Sequence, residues 1–328
     1  GTFYWDEFME RPMVCGDLPW RKADAKPRSW DDTDDAGVHN VLEKDYKIDS
    51  MPKTREGVDL ALADITRHPV REYLRSLIWD GEKRCETLFI DYLGAEDSRY
   101  TRTVTRKALI GAAARILSPG CKHDHMLVLI GPQGCRKSTT LKKLGKEWFS
   151  DSLYTMSGKD AYEQLQGFWI IELSEMAATR KAEVEQIKQF VSKQEDNYRA
   201  AYARRTQCHP RQCAFFGTTN DEEFLRDPTG ARRFWPVVVT DAGKTLGDKL
   251  TASIVDQIWA EAVTYYEAGE TWYLDGAVEE MARKVQVDHT EANGKLGLIE
   301  NFLEVLLPEG WDDWDLEKRL MFWSGGFG

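Results

Sequence analysis

The feature that most constrains this chain is Met126-Leu127-Val128-Leu129-Ile130 running directly into Gly131-Pro132-Gln133-Gly134-Cys135-Arg136-Lys137-Ser138-Thr139. The first five residues are all apolar, which suits a strand of a parallel sheet covered on both faces. A glycine turn follows, then a stretch that reads as helical over residues 137–144. Strand, glycine turn and helix form the setting of a phosphate-binding loop. Glycines let backbone N–H groups turn inward around phosphate oxygens, and the helix N-terminus adds a favourable dipole. In that reading Lys137 neutralises the β- and γ-phosphates of ATP, and the Ser138 hydroxyl sits on Mg²⁺. Arg136 stands where glycine is usual. If the backbone there has positive φ, arginine costs about 1 kcal/mol or more. Two alternatives stay open: a loop that binds nucleotide but hydrolyses it slowly, and a chance glycine-rich turn with Arg136 and Lys137 solvated.

Three more apolar runs follow. Phe168-Trp169-Ile170-Ile171 ends in Glu172, Ala214-Phe215-Phe216 leads to Gly217-Thr218-Thr219-Asn220, and Val237-Val238-Val239 follows Phe234-Trp235-Pro236. Between the first two, Val184, Ile187 and Val191 recur at helical spacing. Strands alternating with helices predict an α/β layer structure with a parallel sheet. A carboxylate at the carboxyl end of a neighbouring strand points into the crevice where ligands bind. Glu172 is therefore placed to hold Mg²⁺, and Glu175 to polarise the attacking water. The residue directly after Glu172 is Leu173, not a second acid, so the division of roles between Glu172 and Glu175 stays open. Asn220 offers an uncharged amide to the γ-phosphate or the lytic water. Arg232 and Arg233, on a loop before a strand, suit a finger reaching a neighbouring subunit's γ-phosphate, because a planar fork spreads charge over phosphate oxygens. The competing readings are a surface carboxylate pair, an ordinary turn, and an arginine pair bonded to nearby acids.

Outside this core, residues 1–54 read as an irregular accessory segment. Residues 55–120 read as a helical N-terminal domain, 121–245 as the P-loop ATPase core and 246–328 as a helical C-terminal region. His68-Pro69 opens one helix, Arg99–Leu117 is another, and Ile254, Ile258, Ala262 and Tyr265 mark a third. With 42% hydrophobic and 30% charged residues the chain can build a soluble core. No run approaches the roughly 18 apolar residues of a membrane span. The six cysteines form no CxxC pair, which suits a reducing, cytoplasmic setting. Gly1 in place of an initiator Met is what a trimmed chain would show.

A net charge of −11 excludes a generally basic coat for nucleic acid, but not a local one. Residues 197–212 hold Arg199, Arg204, Arg205, Arg211 and His209, with Tyr198 and Tyr202 interleaved and no acid. Positive charge with aromatics is the chemistry of a single-stranded DNA grip. The alternative is an arginine face paired to acids. The cluster Cys121-Lys122-His123-Asp124-His125 lacks finger-like zinc spacing. Lys122 and Arg115 precede the first strand, and either a reach to the nucleotide or an ordinary surface role fits them.

Taken together, these segments resemble the virulence-associated protein E family of phages and genomic islands, related to primase-linked superfamily 3 helicases. The resemblance rests on His68-Pro69-Val70-Arg71-Glu72-Tyr73-Leu74, Trp79-Asp80-Gly81 and Pro119-Gly120-Cys121-Lys122. It continues in the phosphate loop, Glu172-Leu173-Ser174-Glu175, the stretch from Gly230 to Pro236, Gln257-Ile258-Trp259-Ala260-Glu261-Ala262 and Trp272-Tyr273-Leu274. It implies an ASCE/AAA+-like core, ATP hydrolysis, a homo-oligomeric ring (a hexamer by resemblance) and a role in replicating mobile DNA. The leading expectation is a Mg²⁺·ATP-driven helicase or translocase on single-stranded DNA. Its rivals are a nucleotide-dependent assembly or signalling ATPase, acting in phage defence or island maintenance, and a plain DNA-binding protein with a vestigial loop.

Overall fold

The computed structural model describes residues 2–158, 160–174, 181–198, 206–225, 231–290, 311 and 314–323. Its strands are β1 (Phe3–Asp6), β2 (Arg11–Val14), β3 (Arg28–Ser29), β4 (Thr66–Arg67), β5 (Met126–Ile130), β6 (Phe149–Ser150), β7 (Ile170–Leu173), β8 (Glu195–Tyr198), β9 (Gln207–Pro210), β10 (Ala214–Thr219) and β11 (Phe234–Val238). Its helices are α1 (Asp32–Tyr46), α2 (Met51–Ala63), α3 (Pro69–Ser76), α4 (Leu88–Leu93), α5 (Arg99–Leu117), α6 (Lys137–Gly145), α7 (Asp160–Glu163), α8 (Lys181–Val191), α9 (Gly243–Leu246), α10 (Ala252–Glu267), α11 (Gly276–Asp288) and α12 (Leu316–Trp323). The chain divides into two compact units, residues 1–290 and 291–328. In the second, the rings of Trp311, Trp314 and Phe322 pack on one another around α12.

Four apolar runs and the short β6 pair into one five-stranded sheet in the order β11-β5-β10-β7-β6, every pairing parallel. Alternation along β5 splits its side chains between two cores. Leu127 and Leu129 face one core with Phe216, Trp235, Val237 and helices α5 and α10. Met126, Val128 and Ile130 face the other with Phe215, Phe234 and the Ile187, Phe190 and Val191 stripe of α8. Each fully buried leucine or phenylalanine contributes on the order of 2 kcal/mol. The fourth run was expected at Val237–Val239, but β11 starts three residues earlier and contains Pro236. A proline is tolerated there because β11 is an edge strand with a single neighbour.

α5 begins and ends where the sequence placed it, with Ser98 accepting from the Thr101 N–H as its cap. It is not a one-sided surface helix: residues 108–116 are all buried, because the sheet covers one side and α3, α10 and α11 cover others. Trp169 and Trp259 meet at 4.1 Å in the core with their rings tilted by 38°, their indole N–H groups donating to the Ala112 and Leu144 carbonyls.

The first fifty residues are not irregular. They supply the strands β1, β2 and β3 and helix α1, and β4 completes a sheet in the order β3-β2-β1-β4. The segment's aspartates are turn formers, yet Asp31 and Asp34 form a capping box on α1. Asp34 is fully buried. Burial pushes its carboxyl up, but hydrogen bonds from Arg28, the Asp31 N–H and the Trp20 indole outweigh this and hold it at about 2. The folded value lies below the ordinary 3.8, so its contribution is present above about pH 4 and lost as pH falls through about 2. Asp34→Asn is expected to weaken the acid transition between those values, followed by circular dichroism. An unchanged acid limb would show that Asp34 is not its source.

Candidate functional site

β5, β10 and β7 end side by side, so their carboxyl ends present one crevice. Glu172 was expected on the strand next to the phosphate loop. It lies one strand further out, because β10 inserts between β5 and β7. The insertion brings the Asn220 and Thr218 side chains between the loop and the acid.

Lys137 Nζ donates to the Gly131 carbonyl (2.6 Å), the Pro132 carbonyl (3.0 Å) and Asn220 Oδ1 (2.9 Å). The Ser138 hydroxyl donates to Glu172 Oε1 at 2.6 Å, and Thr218 Oγ1 donates to the same oxygen at 2.6 Å. Glu172 is 1% exposed, and its Oε2 is buried with no hydrogen-bond partner. A buried carboxylate oxygen with no donor suits a divalent cation or a water held at that point. A cavity of about 500 Å³ opens here, walled by residues 133–139, Ser174, Thr218, Thr219, Asn220 and Lys244. Lys137, Ser138, Glu172 and Asn220, singled out from the sequence, are therefore brought together. Glu175 lies outside the described residues. Thr218 and Lys244 were missed. Neither has a local signature: Thr218 matters only because of strand order, and Lys244 arrives from the turn after β11.

Arg136 is the residue before α6 and has φ 68°, ψ 25°. The left-handed conformation that normally calls for glycine is present, at a cost of about 1 kcal/mol for arginine. Its guanidinium donates to the Lys244 carbonyl (3.1 Å) and pairs with Asp248 (2.8 Å), which offsets part of that cost.

Arg232 and Arg233 precede the amino end of β11, whereas the cavity lies beyond the carboxyl ends of the same parallel sheet. A five-residue strand puts roughly 16 Å between the two ends. The structure thus does not bring these arginines to this chain's own Lys137. Arg232 is exposed on a separate cavity of about 450 Å³ beside Trp235 and Trp272, and Arg233 Nε donates to Ser192 Oγ. Arg115 is also at the amino end, buried and donating to the His123 and Lys193 carbonyls, so it has no reach to the loop. Lys122 is exposed on the Arg232 cavity.

The basic segment is a hairpin of β8 and β9. Arg199, Tyr202, Arg204 and Arg205 lie outside the described residues. Arg211 is corrected: it is 3% exposed, forks onto both oxygens of Asp196 (2.7 and 3.0 Å), donates to the Phe190 carbonyl and lies over the Phe190 ring. The acid-free reading stopped one residue short of this partner. Arg211→Ala is expected to cost roughly 3–5 kcal/mol in chemical denaturation, because it strands a buried carboxylate. A stable variant that loses DNA affinity instead would restore the original assignment. The hairpin's base is held from both sides. Glu10, at φ 51°, accepts from Gln166 and meets His209 Nδ1 at 2.7 Å. His68 Nδ1 accepts from the Arg71 N–H, leaving Nε2–H to donate to Gln212 Oε1 at 2.6 Å.

Both histidines of the Cys121–His125 stretch pack against neighbours. His123 sits against Gly111, and burial, with Arg115 beside it, pushes its ring well below the usual histidine range. His125 stacks on Trp235 at 4.5 Å. No helix among the described residues is long and apolar enough to cross a membrane.

Residues 74–291 match the family described as virulence-associated protein E-like domain. Among solved structures, the chain resembles the apo structure of the NrS-1 C terminal region (305-718), with TM-score 0.50 and 14% identity over 95% of this chain and 81% of that one. An A form apo structure of that region gives 0.47 and 15% over 95% and 82%. At such identity the likeness concerns the fold alone. No curated protein matches.

Proposed function

Because the chain belongs to the virulence-associated protein E-like domain family, we propose that it is a Mg²⁺·ATP-hydrolysing P-loop motor of the superfamily 3 kind, acting on single-stranded DNA in the replication of phage or mobile-element DNA. The observation that carries this reading is the pair of bonds Lys137–Asn220 and Ser138–Glu172, joining a phosphate-loop lysine and serine to groups from two other strand ends around one cavity. The strand order supports it: an extra strand stands between the loop strand and the acid strand, as in ASCE-type cores.

In this reading Lys137 leaves the Gly131 and Pro132 carbonyls and moves its ammonium onto the β- and γ-phosphates. Ser138 and Glu172 hold the metal, with Thr218 fixing the carboxylate through Oε1 and leaving Oε2 free to ligate. Mg²⁺ held by Ser138 and Glu172 would supply positive charge against the negative charge that builds on the phosphate. Glu175 orients and deprotonates the attacking water. Asn220, released by Lys137, hydrogen-bonds the γ-phosphate. Arg232, with Arg233, serves a neighbouring copy in a ring, since neither is near its own loop. Arg199, Tyr202, Arg204 and Arg205 grip the strand.

A second reading, a nucleotide-dependent assembly or signalling ATPase without strand separation, gains from one observation: Arg211 is committed to Asp196 and withdrawn from any DNA surface. Turnover with and without single-stranded DNA, with oligomer mass recorded in the same buffer, separates the two. The motor reading expects DNA to raise turnover several-fold and a forked duplex to be opened. Hydrolysis indifferent to DNA, with no strand displaced, supports the second. Failure to bind Mg²⁺·ATP in calorimetry removes both and leaves a vestigial loop.

A further inference from the structure

We infer that Lys244 is a second phosphate-binding cation of this site, carried by the turn after β11 and kept off the phosphates by Asp241 until nucleotide enters; the inference rests on the nucleotide reading above. Three observations meet at this residue. Lys244 lines the same cavity as the phosphate loop, and its Cε lies 4.0 Å from where a side chain on Gly134 would begin.

The turn that carries it is fastened to the loop. A Cβ on Gly243 would stand 2.4 Å from the Cys135 carbonyl oxygen, and one on Gly247 would stand 2.9 Å from Arg136 Cδ. At Gly243, where the neighbour is backbone, only glycine permits so close an approach; at Gly247 a side chain would push on that of Arg136. Arg136 then ties the two segments, donating to the Lys244 carbonyl and pairing with Asp248. This gives the strained arginine a purpose: in the left-handed conformation that glycine would otherwise supply, it adds a side chain that holds the turn, and with it Lys244, against the phosphate loop.

The lysine is also free to move. Its ammonium pairs with Asp241 at 2.9 Å, with side chains 53% and 63% exposed. An exposed pair of this kind contributes little and exchanges readily. A polyphosphate in the cavity carries several charges where Asp241 carries one, and the four-carbon stem gives Lys244 reach. On nucleotide entry the ammonium passes from Asp241 to a phosphate oxygen. Lys137 then approaches from inside the loop and Lys244 from outside it.

The test is calorimetry of the full chain with Mg²⁺ and, in turn, ATP, ADP and inorganic tripolyphosphate. Lys244→Ala is expected to weaken ATP and tripolyphosphate by a similar factor, roughly ten-fold, the size of one charge-assisted hydrogen bond. Lys244→Arg should recover most of that loss. Lys244 is exposed, so Lys244→Ala should melt like the wild type; Lys244→Gln serves if it does not. Asp241→Asn is expected to tighten ATP about two-fold to three-fold, and the gain should vanish in the Lys244→Ala background. Loss of ATP affinity with tripolyphosphate unchanged would put Lys244 on the base or ribose and overturn the inference. So would Lys244→Ala binding within two-fold of wild type while Lys137→Ala fails to bind. An Asp241→Asn gain that persists without Lys244 would overturn the restraining role. A wild-type chain that binds none of the three ligands refutes the nucleotide reading itself, and this inference falls with it.

Discussion

Replacing Lys137 by alanine should reduce ATP turnover by a factor on the order of 100 to 1,000 or more, the scale set by removing one aligned donor from a developing anion. Lys137 is 8% exposed and its ammonium is held by the Gly131 and Pro132 carbonyls and Asn220, so it stands beside the cavity before any ligand arrives. On nucleotide entry it has only to exchange these acceptors for phosphate oxygens, after which its charge is in place for the reaction. The same geometry predicts a small effect on folding. Lys137 and Asn220 line a cavity large enough for water, which can replace the lost donor at a cost of about 1 kcal/mol. Steady-state turnover and a denaturant titration on the same preparation check both halves. Normal turnover in Lys137→Ala would mean that the cavity is not where ATP is cleaved. A large loss of stability would mean that Lys137 is a structural cation instead.

Arg232→Ala should leave ATP affinity intact yet reduce turnover by about 1,000-fold or more, as removal of an arginine finger does. The argument is one of distance. Arg232 stands before the amino end of β11, and the phosphate loop follows the carboxyl end of β5, its parallel neighbour. No side chain spans the roughly 16 Å between them, so any catalytic part for Arg232 is played in another copy's site. Mixing supplies the decisive comparison. Glu172→Gln subunits retain Arg232 but have a defective metal site, while Arg232→Ala subunits have the reverse defect. Mixed assemblies should regain turnover that neither parent shows. Absence of rescue at every ratio would count against a finger acting between chains. Weakened ATP binding by Arg232→Ala alone would indicate a structural role in the cavity that it lines with Trp235 and Trp272.

Where β5 and α5 begin and end, and where α6 begins, was legible because each depends on neighbours in sequence. The apolar run, the glycine turn and the cap at Ser98 are local signals, and local hydrogen bonding and sterics convert them directly into strand, turn and helix. Lys137, Ser138, Glu172 and Asn220 could be singled out as candidates for the same reason: each stands at or just past the carboxyl end of an apolar run. The segment before residue 50 was misread because its strands are short and β1, besides its neighbour β2, pairs with the distant β4.

What the tertiary structure alone decided is which of these ends meet. Pairing between distant strands put β10 between β5 and β7, which placed Thr218 on Glu172 and Asn220 on Lys137. It also buried Arg211 on Asp196 and brought Lys244 to the loop. Sequence spacing determines direction along a strand, but strand order comes from burial of two opposing faces at once. That is a property of the assembled layers, which no single stretch of residues encodes.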